Sequence, residues 1–395
     1  MLAIVGGRAV LPGGEVTPAT LLVDGARIAT IDRTCATPAA GEARLDASGA
    51  VVVPGFIDVH VHGVDGHDVH DEGDAVARIA ARLPRFGVTG FCPTTIACGP
   101  DSLRRVLAQV RACMRAAPAG GARVLGAHLE SNFINPDMRG AQPLAHLRLP
   151  ESGVAEAEGE SYSGADILSV VDEYRDAIAI VTIAPELPGA LDAIRTLVTA
   201  GHLVSLGHSA ADFVVANAAF DAGATQVTHL FNRMPPFTHR EPGLAGAALA
   251  RTDVLAELIC DGYHVHPAVA RVAIAAKGPS RILAITDGTG ASGLAAGGCA
   301  TLGGRRIRAG EQVALLDEGT VAGSTLTMDG AFRMLTDAGS SLGDAAVMCA
   351  TTPASALRLA QHGVIAPGAV ADLAVLDEAR TVRHTVIAGQ VAYTR

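Results

Sequence analysis

The sequence predicts an α/β protein in which a (β/α)8 barrel of the TIM type carries a small β-sandwich formed from both chain termini. A length of 395 residues is too great for one small module. Between the two ends, eight strand-like runs alternate with amphipathic helix-like runs, which is the pattern of a parallel barrel. The ends themselves contain short strands separated by turns. With 49% hydrophobic and 18% charged residues, the composition excludes a disordered chain.

Both ends of the chain predict β-structure. Short apolar runs are interrupted by glycine-containing turns such as Gly6-Gly7 and Asp24-Gly25. Because each end is too short for a core of its own, we expect residues 1–53 and 361–395 to form one domain. The predicted strands are residues 2–5, 9–11, 20–23 and 27–31 at the amino end, and 372–376, 382–387 and 391–393 at the carboxyl end.

The middle of the chain, residues 54–360, is predicted to form the barrel. A doubly wound sheet would instead need a G-x-G-x-x-G turn after an early strand, and the sequence has none at that place. A glycine-rich stretch with a strand-like continuation, at about 288–321, predicts an insertion after the eighth strand. Strands are predicted at 51–59, 88–94, 124–129, 179–184, 204–207, 226–228, 254–259 and 282–286, and helices at 75–85, 103–116, 165–174, 191–200, 211–222 and 268–276.

The net charge and the cysteine usage limit the classes of partner and the cellular compartment that we expect for this protein. The 30 basic and 40 acidic residues give a net charge of -10, which argues against nucleic acid or an anionic membrane as the main partner. Seven cysteines without a C-x-x-C pair favour a reducing compartment. Neither a signal peptide nor an apolar run of about 18 residues is apparent. We therefore expect a soluble cytoplasmic protein that acts on a small molecule.

Ionisable residues follow five of the predicted barrel strands. Catalytic groups of such barrels lie where the strands end, so these side chains should converge on one mouth, where a cation would compensate their charges. A bare H-x-H pair could equally be two hydrogen-bonded histidines, but the other strand ends favour a divalent ion, Zn²⁺ or a related metal. The residues are His60 and His62 after strand 1, Glu130 after strand 3, His208 after strand 5, His229 after strand 6 and Asp287 after strand 8.

Longer motifs surround these residues and occur in the same order over essentially the whole chain. The motifs are PGFIDVHVHG at 54–63, AHLESNFINPDMRGAQP at 127–143, SLGHSA at 205–210, THLFNRMPPFTHREPGLAGAAL at 228–249, ICDGYHVHP at 259–267, ITDG at 285–288 and AGSTLTMDGAFRML at 322–335. In these motifs the chain resembles the N-acetylglucosamine-6-phosphate deacetylase family of the amidohydrolase superfamily. This resemblance also implies the terminal β-sandwich and a homodimer.

The resemblance implies a metal centre of one or two divalent ions per chain. Glu130, His208 and His229 match the family's principal ligands. His60 and His62 match the ligands of a second ion, with Glu130 as the bridge. A carbamylated lysine bridges the ions in many superfamily relatives, but the only lysine here, Lys277, falls in a helix-like stretch away from any strand end.

The same resemblance implies hydrolysis of an N-acetyl group by attack of a metal-bound hydroxide. Asp287 matches the family's general base and acid, which passes the proton to the departing amine. The alternative for Asp287 is a helix cap before Gly288. We therefore predict a hydrolase, specifically a deacetylase of amino-sugar metabolism.

Six residues match family positions that contact substrate, and some differ from the family pattern. Arg240 and His264 match the residues that hold the sugar phosphate, with His264 reaching across the dimer, and Asn232 matches a further contact. Arg233 replaces an alanine, Gln142 replaces a histidine, and Ser131-Asn132 replace Gly-Pro, which predicts an altered sugar or acyl pocket. For Arg233, a side chain turned to solvent is an equal alternative. Met328 matches a segment that lines the acyl pocket, although a packing role is an equal alternative. The predicted contacts are Gln142, Asn232, Arg233, Arg240, His264 and Met328.

Two other functions stay open at this point. An amidohydrolase acting on a different N-acyl compound or a cyclic amide would keep the same metal ligands. A non-catalytic binding protein on the same scaffold would be expected to lose ligands, and none is lost. His67 and His70 have ligand-like spacing, but we interpret them as residues of the loop after strand 1.

Overall fold

The computed structural model describes residues 1–35, 43–150 and 162–395 of the chain. Alternating strands and helices occupy the middle, and strands alone occupy both ends. In chain order the strands of the described residues are β1 (Leu2–Val10), β2 (Val16–Asp24), β3 (Arg27–Asp32), β4 (Ala43–Asp46), β5 (Val51–Pro54), β6 (Phe56–Val61), β7 (Gly63–Val64), β8 (His67–Asp68), β9 (Val88–Thr95), β10 (Arg123–Val124), β11 (Ala127–Glu130), β12 (Ile178–Ile183), β13 (Leu203–Leu206), β14 (Gln226–Val227), β15 (Leu255–Ile259), β16 (Ile282–Ile285), β17 (Cys299–Leu302), β18 (Arg305–Ala309), β19 (Val313–Leu316), β20 (Val321–Ser324), β21 (Leu373–Leu376), β22 (Val382–Ile387) and β23 (Gln390–Thr394).

Helices connect most of the barrel strands, and further helices lie between β20 and β21. A π-helical turn at Val347–Thr351 joins the last two helices. The helices of the described residues are α1 (Ala75–Arg82), α2 (Pro100–Arg115), α3 (Gly164–Glu173), α4 (Ala190–Thr199), α5 (Phe213–Asp221), α6 (Gly243–Ala250), α7 (Pro267–Lys277), α8 (Met328–Asp337), α9 (Leu342–Ala346) and α10 (Thr352–Ala356), with short 3-10 turns at Leu83–Phe86, Pro136–Met138, Leu144–His146, Arg175–Ala177 and Pro279–Arg281.

The barrel confirms the predicted fold class. Strands β6, β9 and β11 to β16 run parallel to their neighbours, and the short β10 extends β11 along β9. A typical register places Val181 of β12 opposite Val204 of β13. The sheet closes on itself where the Asp287 amide donates to the His60 carbonyl oxygen at 3.0 Å. The ends of strands β6 and β16 therefore meet at the same rim.

One sheet contains strands from both ends of the chain, as predicted. Its order is β23-β22-β21-β5-β1-β2-β3, and β4 pairs in parallel with β1. The carboxyl end joins the amino end where β21 runs antiparallel to β5, with Val375 opposite Val52. Buried Ile4, Leu21 and Leu373 belong to a hydrophobic core of this sheet's own.

Two details of the predicted strands were wrong. The predicted turn at Gly6-Gly7 lies inside one long strand, β1, where the register shifts between Ile4 and Gly7. The predicted strand at 51–59 divides at Gly55, so that β5 joins the terminal sheet and β6 starts the barrel. A Cβ atom on Gly55 would lie 2.3 Å from Cγ2 of Thr89. Only glycine therefore fits where the chain passes from one sheet to the other.

The predicted insertion after the eighth barrel strand is an antiparallel sheet. Strands β17 to β20 form it in sequence order, and buried Leu302, Ile307 and Leu316 contribute to its separate core. The helix α6 was not predicted, because its residues Gly243–Ala250 are apolar on every side and so lack an amphipathic pattern. Across the part of the chain that the structure describes, no helix has both the length and the hydropathy that a membrane span requires.

Candidate metal centre and active site

The six strand-end residues converge at one rim of the barrel, as the sequence predicts. Glu130 is the last residue of β11, whereas His208, His229 and Asp287 each stand two positions past the end of β13, β14 and β16. These last three have φ angles of +47°, +32° and +48°. Such left-handed backbone costs a non-glycine residue of order 1–3 kcal/mol and is concentrated at functional sites. These three turns therefore place their side chains at the rim, and their left-handed backbone conformation costs the folded state some stability.

Glu130, His208 and His229 form the first ligand cluster. Oε1 of Glu130 lies 2.9 Å from Nε2 of His208 and 3.0 Å from Nε2 of His229. The two imidazole Nε2 atoms are 3.0 Å apart. Two imidazole nitrogens and one carboxylate oxygen at this separation are a donor set that suits zinc.

His60, His62 and Asp287 form the second ligand cluster. Oδ1 of Asp287 lies 3.4 Å from Nε2 of His60 and 3.3 Å from Nε2 of His62. The carboxylate of Glu130 stands between the two clusters, because its Oε1 is 3.6 Å from Nε2 of His60 and its Oε2 is 3.6 Å from Nε2 of His62. The arrangement has the donors for two ions with Glu130 between them.

Hydrogen bonds at Nδ1 fix which nitrogen of three histidines faces the clusters. Nδ1 of His62 donates to the carbonyl oxygen of Thr94 at 3.1 Å, and Nδ1 of His208 donates to that of Met138 at 2.8 Å. Carbonyl oxygens only accept, so the proton is on Nδ1 and the Nε2 lone pair is free for a metal. His60 follows the same rule with a different acceptor, a carboxylate oxygen of Glu257 at 2.9 Å.

The charges of the clusters reinforce one another. Burial raises the pKa of Glu130, but His208 and His229 outweigh it and hold that pKa well below its usual range. Burial likewise raises the pKa of Asp287, but the contact with Nε2 of His62 and the charge of His60 lower it overall. Burial lowers the pKa of His60, whereas Glu257, Asp287 and Glu130 raise it to about 10; a metal that binds Nε2 would displace the proton held there. Ionised carboxylates thus dominate a buried site, which favours a bound cation.

A cavity of about 440 Å³ opens onto both clusters. His60 lies behind it, fully buried. Apolar residues of the inserted sheet, Leu302 and Val321, form part of its wall. The predicted site residues that line it are His62, Glu130, Gln142, His208, His229, Asn232, Arg233, His264 and Asp287.

Gln142 is held at both ends of its amide. Its Oε1 accepts from the backbone amide of Ala97 at 2.8 Å, so its Nε2 faces Glu130 and donates to Oε2 of that carboxylate. Ser131 and Asn132 point away from the cavity instead. The Asn132 amide donates to the carbonyl oxygen of Cys98 at 2.8 Å, and both residues are buried. Of Gln142, Ser131 and Asn132, only Gln142 lines the cavity.

His264 and Arg233 give the cavity a cationic wall. His264 Nδ1 is 2.6 Å from Oδ2 of Asp261. Burial lowers the pKa of His264, but Asp261 outweighs it and raises that pKa. The Arg233 side chain passes over Gly140, where a Cβ atom would lie 2.6 Å from Nε of Arg233. His264 lines the cavity of its own chain, and its contact across a dimer stays a prediction.

Two predicted substrate contacts lie outside this cavity. Arg240 is exposed and does not line it. Met328 begins α8 and is 1% exposed within the main hydrophobic core. Of the two roles open for Met328, this burial favours packing. His70 is also structural, because its buried Nε2 accepts from the Ile96 amide at 3.0 Å.

Two polar residues lie behind the ligands, and sequence reasoning missed one of them, Glu257. Glu257 is fully buried in β15, and His128 is fully buried in β11. Nδ1 of His128 donates to the carbonyl oxygen of Val59 at 2.9 Å, and Nε2 accepts from the Thr182 hydroxyl at 2.8 Å. Burial, with the charge of nearby His60, lowers the pKa of His128 to about 4. A lone carboxylate inside the apolar run of β15 was the signal that could have identified Glu257.

Comparison with known proteins agrees with this geometry. The sequence model of the amidohydrolase family matches residues 51–392. The chain belongs to the amidohydrolase family. The match therefore covers the whole barrel and most of the carboxyl-terminal strands of this family member.

Relatives named as deacetylases match most of the chain. The N-acetylglucosamine-6-phosphate deacetylase of Bos taurus is 36% identical over 397 residues, which cover 97% of this chain and 94% of the bovine one. The N-acetylgalactosamine-6-phosphate deacetylase of Escherichia coli O157:H7 is 36% identical over 346 residues, covering 87% and 88%. A mutant N-acetyl-D-glucosamine-6-phosphate deacetylase of Mycobacterium smegmatis, solved with N-acetyl-D-glucosamine-6-phosphate, has a TM-score of 0.87 at 33% identity, covering 100% of this chain and 99% of the other.

Proposed function

We propose that the protein is a metal-dependent deacetylase that removes the N-acetyl group of an amino-sugar phosphate, N-acetylglucosamine-6-phosphate or a close relative. The observation that carries the proposal is a single cavity that opens onto both ligand clusters. The carboxylate of Asp287 and the cationic pair His264 and Arg233 line the same cavity. Relatives with deacetylase activity on both the gluco and galacto epimers support the reaction class.

In this proposal Glu130, His208 and His229 would hold the first divalent ion, and His60 and His62 together with Glu130 would hold a second. Zinc is the metal that these nitrogen and oxygen donors favour. The chemistry that such an ion supplies is activation of water and polarisation of the amide carbonyl. Lys277 takes no part in a carbamate bridge, because its Nζ donates to the carbonyl oxygen of Ala248 at 2.8 Å at the end of α6.

Asp287 is the proton-transfer residue of the proposal. Its carboxylate lines the cavity and touches both His60 and His62. A carboxylate at this place can take a proton from the attacking water and give it to the amine, which leaves poorly as an anion.

The anionic end of the substrate is assigned to His264 and Arg233, with Asn232 beside them on the cavity wall. Charge-assisted hydrogen bonds from cations to a phosphate are stronger than neutral ones. Arg240 stays a predicted phosphate contact, from an exposed loop. We further propose a cytoplasmic location, in keeping with seven cysteines that form no disulfide. The proposal also includes a homodimer.

A substrate panel tests this function. The zinc-loaded protein is assayed for acetate release from the 6-phosphates of N-acetylglucosamine and N-acetylgalactosamine, and from the same sugars without phosphate. We expect kcat/KM above about 10⁴ M⁻¹s⁻¹ for one phosphate ester, and a loss of about 10- to 100-fold without the phosphate. Preference for an N-acyl amino acid or a cyclic amide would instead support the other amidohydrolase reaction.

A further inference from the structure

Glu257 is a carboxylate inside the barrel that no step of the proposed reaction uses. It lies in the middle of β15 and is 0% exposed. A buried ionised carboxylate is costly unless it is paired and hydrogen-bonded. Its partners therefore indicate what the residue is for.

Both oxygens of Glu257 are engaged by neighbouring strands. Oε2 accepts from Nδ1 of His60 at 2.9 Å and from the backbone amide of His229 at 3.2 Å. Oε1 accepts from Nε2 of Gln226 at 2.7 Å. The carboxylate thus contacts a side chain of the second ligand cluster, but only a backbone amide of the first.

His60 differs from the other oriented ligands in the acceptor at Nδ1. His62 and His208 donate to neutral backbone carbonyls at 3.1 Å and 2.8 Å, whereas His60 donates to a charged carboxylate. A carboxylate acceptor fixes the tautomer as a carbonyl does, but it also raises the basicity of the opposite nitrogen. Nε2 of His60 is therefore the strongest imidazole donor of these three.

We propose that Glu257 is a positioning residue that orients His60 and strengthens its Nε2 as a ligand, so that the ion of the His60–His62–Asp287 cluster depends on Glu257. The ion of the Glu130–His208–His229 cluster depends on it much less. This inference rests on the proposed metal-dependent function, but it concerns ion binding and not the identity of the substrate.

The variant Glu257→Gln isolates the charge. The new amide keeps an oxygen for His60 and His229 and turns its NH₂ towards Gln226. Gln226 can accept that NH₂ by rotating its own amide, because its Oε1 finds no hydrogen-bond partner among the described residues. The variant therefore retains the hydrogen bonds and gives His60 a neutral acceptor like those of His62 and His208.

The experiment titrates zinc into the metal-free full chain against a chelating indicator and fits two affinities, with His60→Ala marking the loss of the second-cluster ion. We expect Glu257→Gln to weaken that ion by about 10- to 100-fold and to leave the other within about threefold. Glu257→Met, which also removes the acceptor, should weaken it further. Cobalt spectra of the second site should shift in both variants.

Thr182→Val is the matched control, since it alters the same buried polar layer at His128 without touching the Glu257–His60 bond. It should keep both affinities, and thermal melting checks that every variant is folded. Unchanged affinities in both Glu257 variants, or an equal fall at both sites, would overturn the inference. A parent that binds two ions but hydrolyses no N-acetyl amino-sugar phosphate would overturn the proposed function alone.

Discussion

Asp287 shows how one residue can serve both the metal centre and the substrate cavity. Its Oδ1 lies within 3.4 Å of Nε2 of His60 and His62, while the carboxylate also lines the cavity. Its backbone conformation, with φ of +48°, sets this position at the rim. A helix cap, the alternative for this residue, would not need to face two histidines.

At the residue scale, we expect Asp287→Asn to lose about 100-fold or more in kcat, because an amide cannot accept the proton of the attacking water. The amide keeps the size of the side chain, so at least one ion should remain bound. Steady-state kinetics together with metal analysis of the same sample check both parts. A near-normal kcat would assign proton transfer to another group.

His128 is a weak candidate for that other group. Both of its ring nitrogens are engaged by Val59 and Thr182, and the residue does not line the cavity. A His128→Gln variant is therefore the control for Asp287→Asn, and it should affect stability more than the pH profile of kcat.

A pH dependence follows from His264. Asp261 raises the pKa of this imidazole against the effect of burial, Asp287 adds to the increase, and Arg233 opposes it. A raised pKa means that the cation is present at low pH and is lost as the pH rises through that pKa. KM for a phosphorylated substrate should therefore stay low above pH 6.5, the usual histidine value, and then increase.

The matched variant is His264→Gln, which keeps hydrogen-bonding capacity without the charge. At low pH, KM of the variant for the phosphorylated sugar should be higher than that of the parent, and it should not increase as the pH rises. For the same sugar without phosphate, KM of the variant and of the parent should be alike. If KM of the parent is independent of pH from 6 to 9, His264 does not hold the anion.

The ligands were predictable from the sequence because each follows an apolar strand of a parallel barrel, and strand ends meet at one rim. The carboxylate behind them was not. Glu257 lies in the interior of a strand, and nothing in the neighbouring sequence indicates a partner for it. Its partners come from strands that are distant in the chain. Sequence left two roles open for Met328, because likeness to a family segment does not say which face of a helix is buried.

At the element scale, the transition from the terminal sheet to the barrel depends on Gly55. The apolar run at 51–59 predicted one strand, since the pattern does not reveal the close approach of Thr89 that divides it into β5 and β6. The missed helix α6 has a related cause, because its buried surroundings leave no polar face.

Gly55→Ala should lower the free energy of unfolding by about 1–3 kcal/mol, since the new methyl group overpacks against Thr89. Urea unfolding measures the change. Gly99→Ala is the control, because a Cβ there meets only Cε1 of Tyr162, at the ordinary distance of 3.6 Å. Equal stabilities of the two variants would mean that the Gly55 contact relaxes freely.

At the scale of the whole molecule, the metal centre joins strands that are far apart in the chain. Its ligands stand at the ends of β6, β11, β13, β14 and β16, so unfolding of the barrel separates them. The carboxylates of Glu130, Asp287 and Glu257 are all buried, and all three contact His60. Ion binding should therefore stabilise the native barrel specifically.

We expect removal of metal by a chelator to lower the melting temperature by a few degrees, and added zinc to restore it. An ion at 100 times its Kd stabilises the native state by about 2.7 kcal/mol, and this energy converts to a shift of a few degrees in a large domain. Glu130→Gln is the control, because it weakens both clusters and should make the melting temperature nearly insensitive to zinc. If zinc shifts the parent and Glu130→Gln equally, the stabilising ion binds elsewhere and the two clusters are not its site.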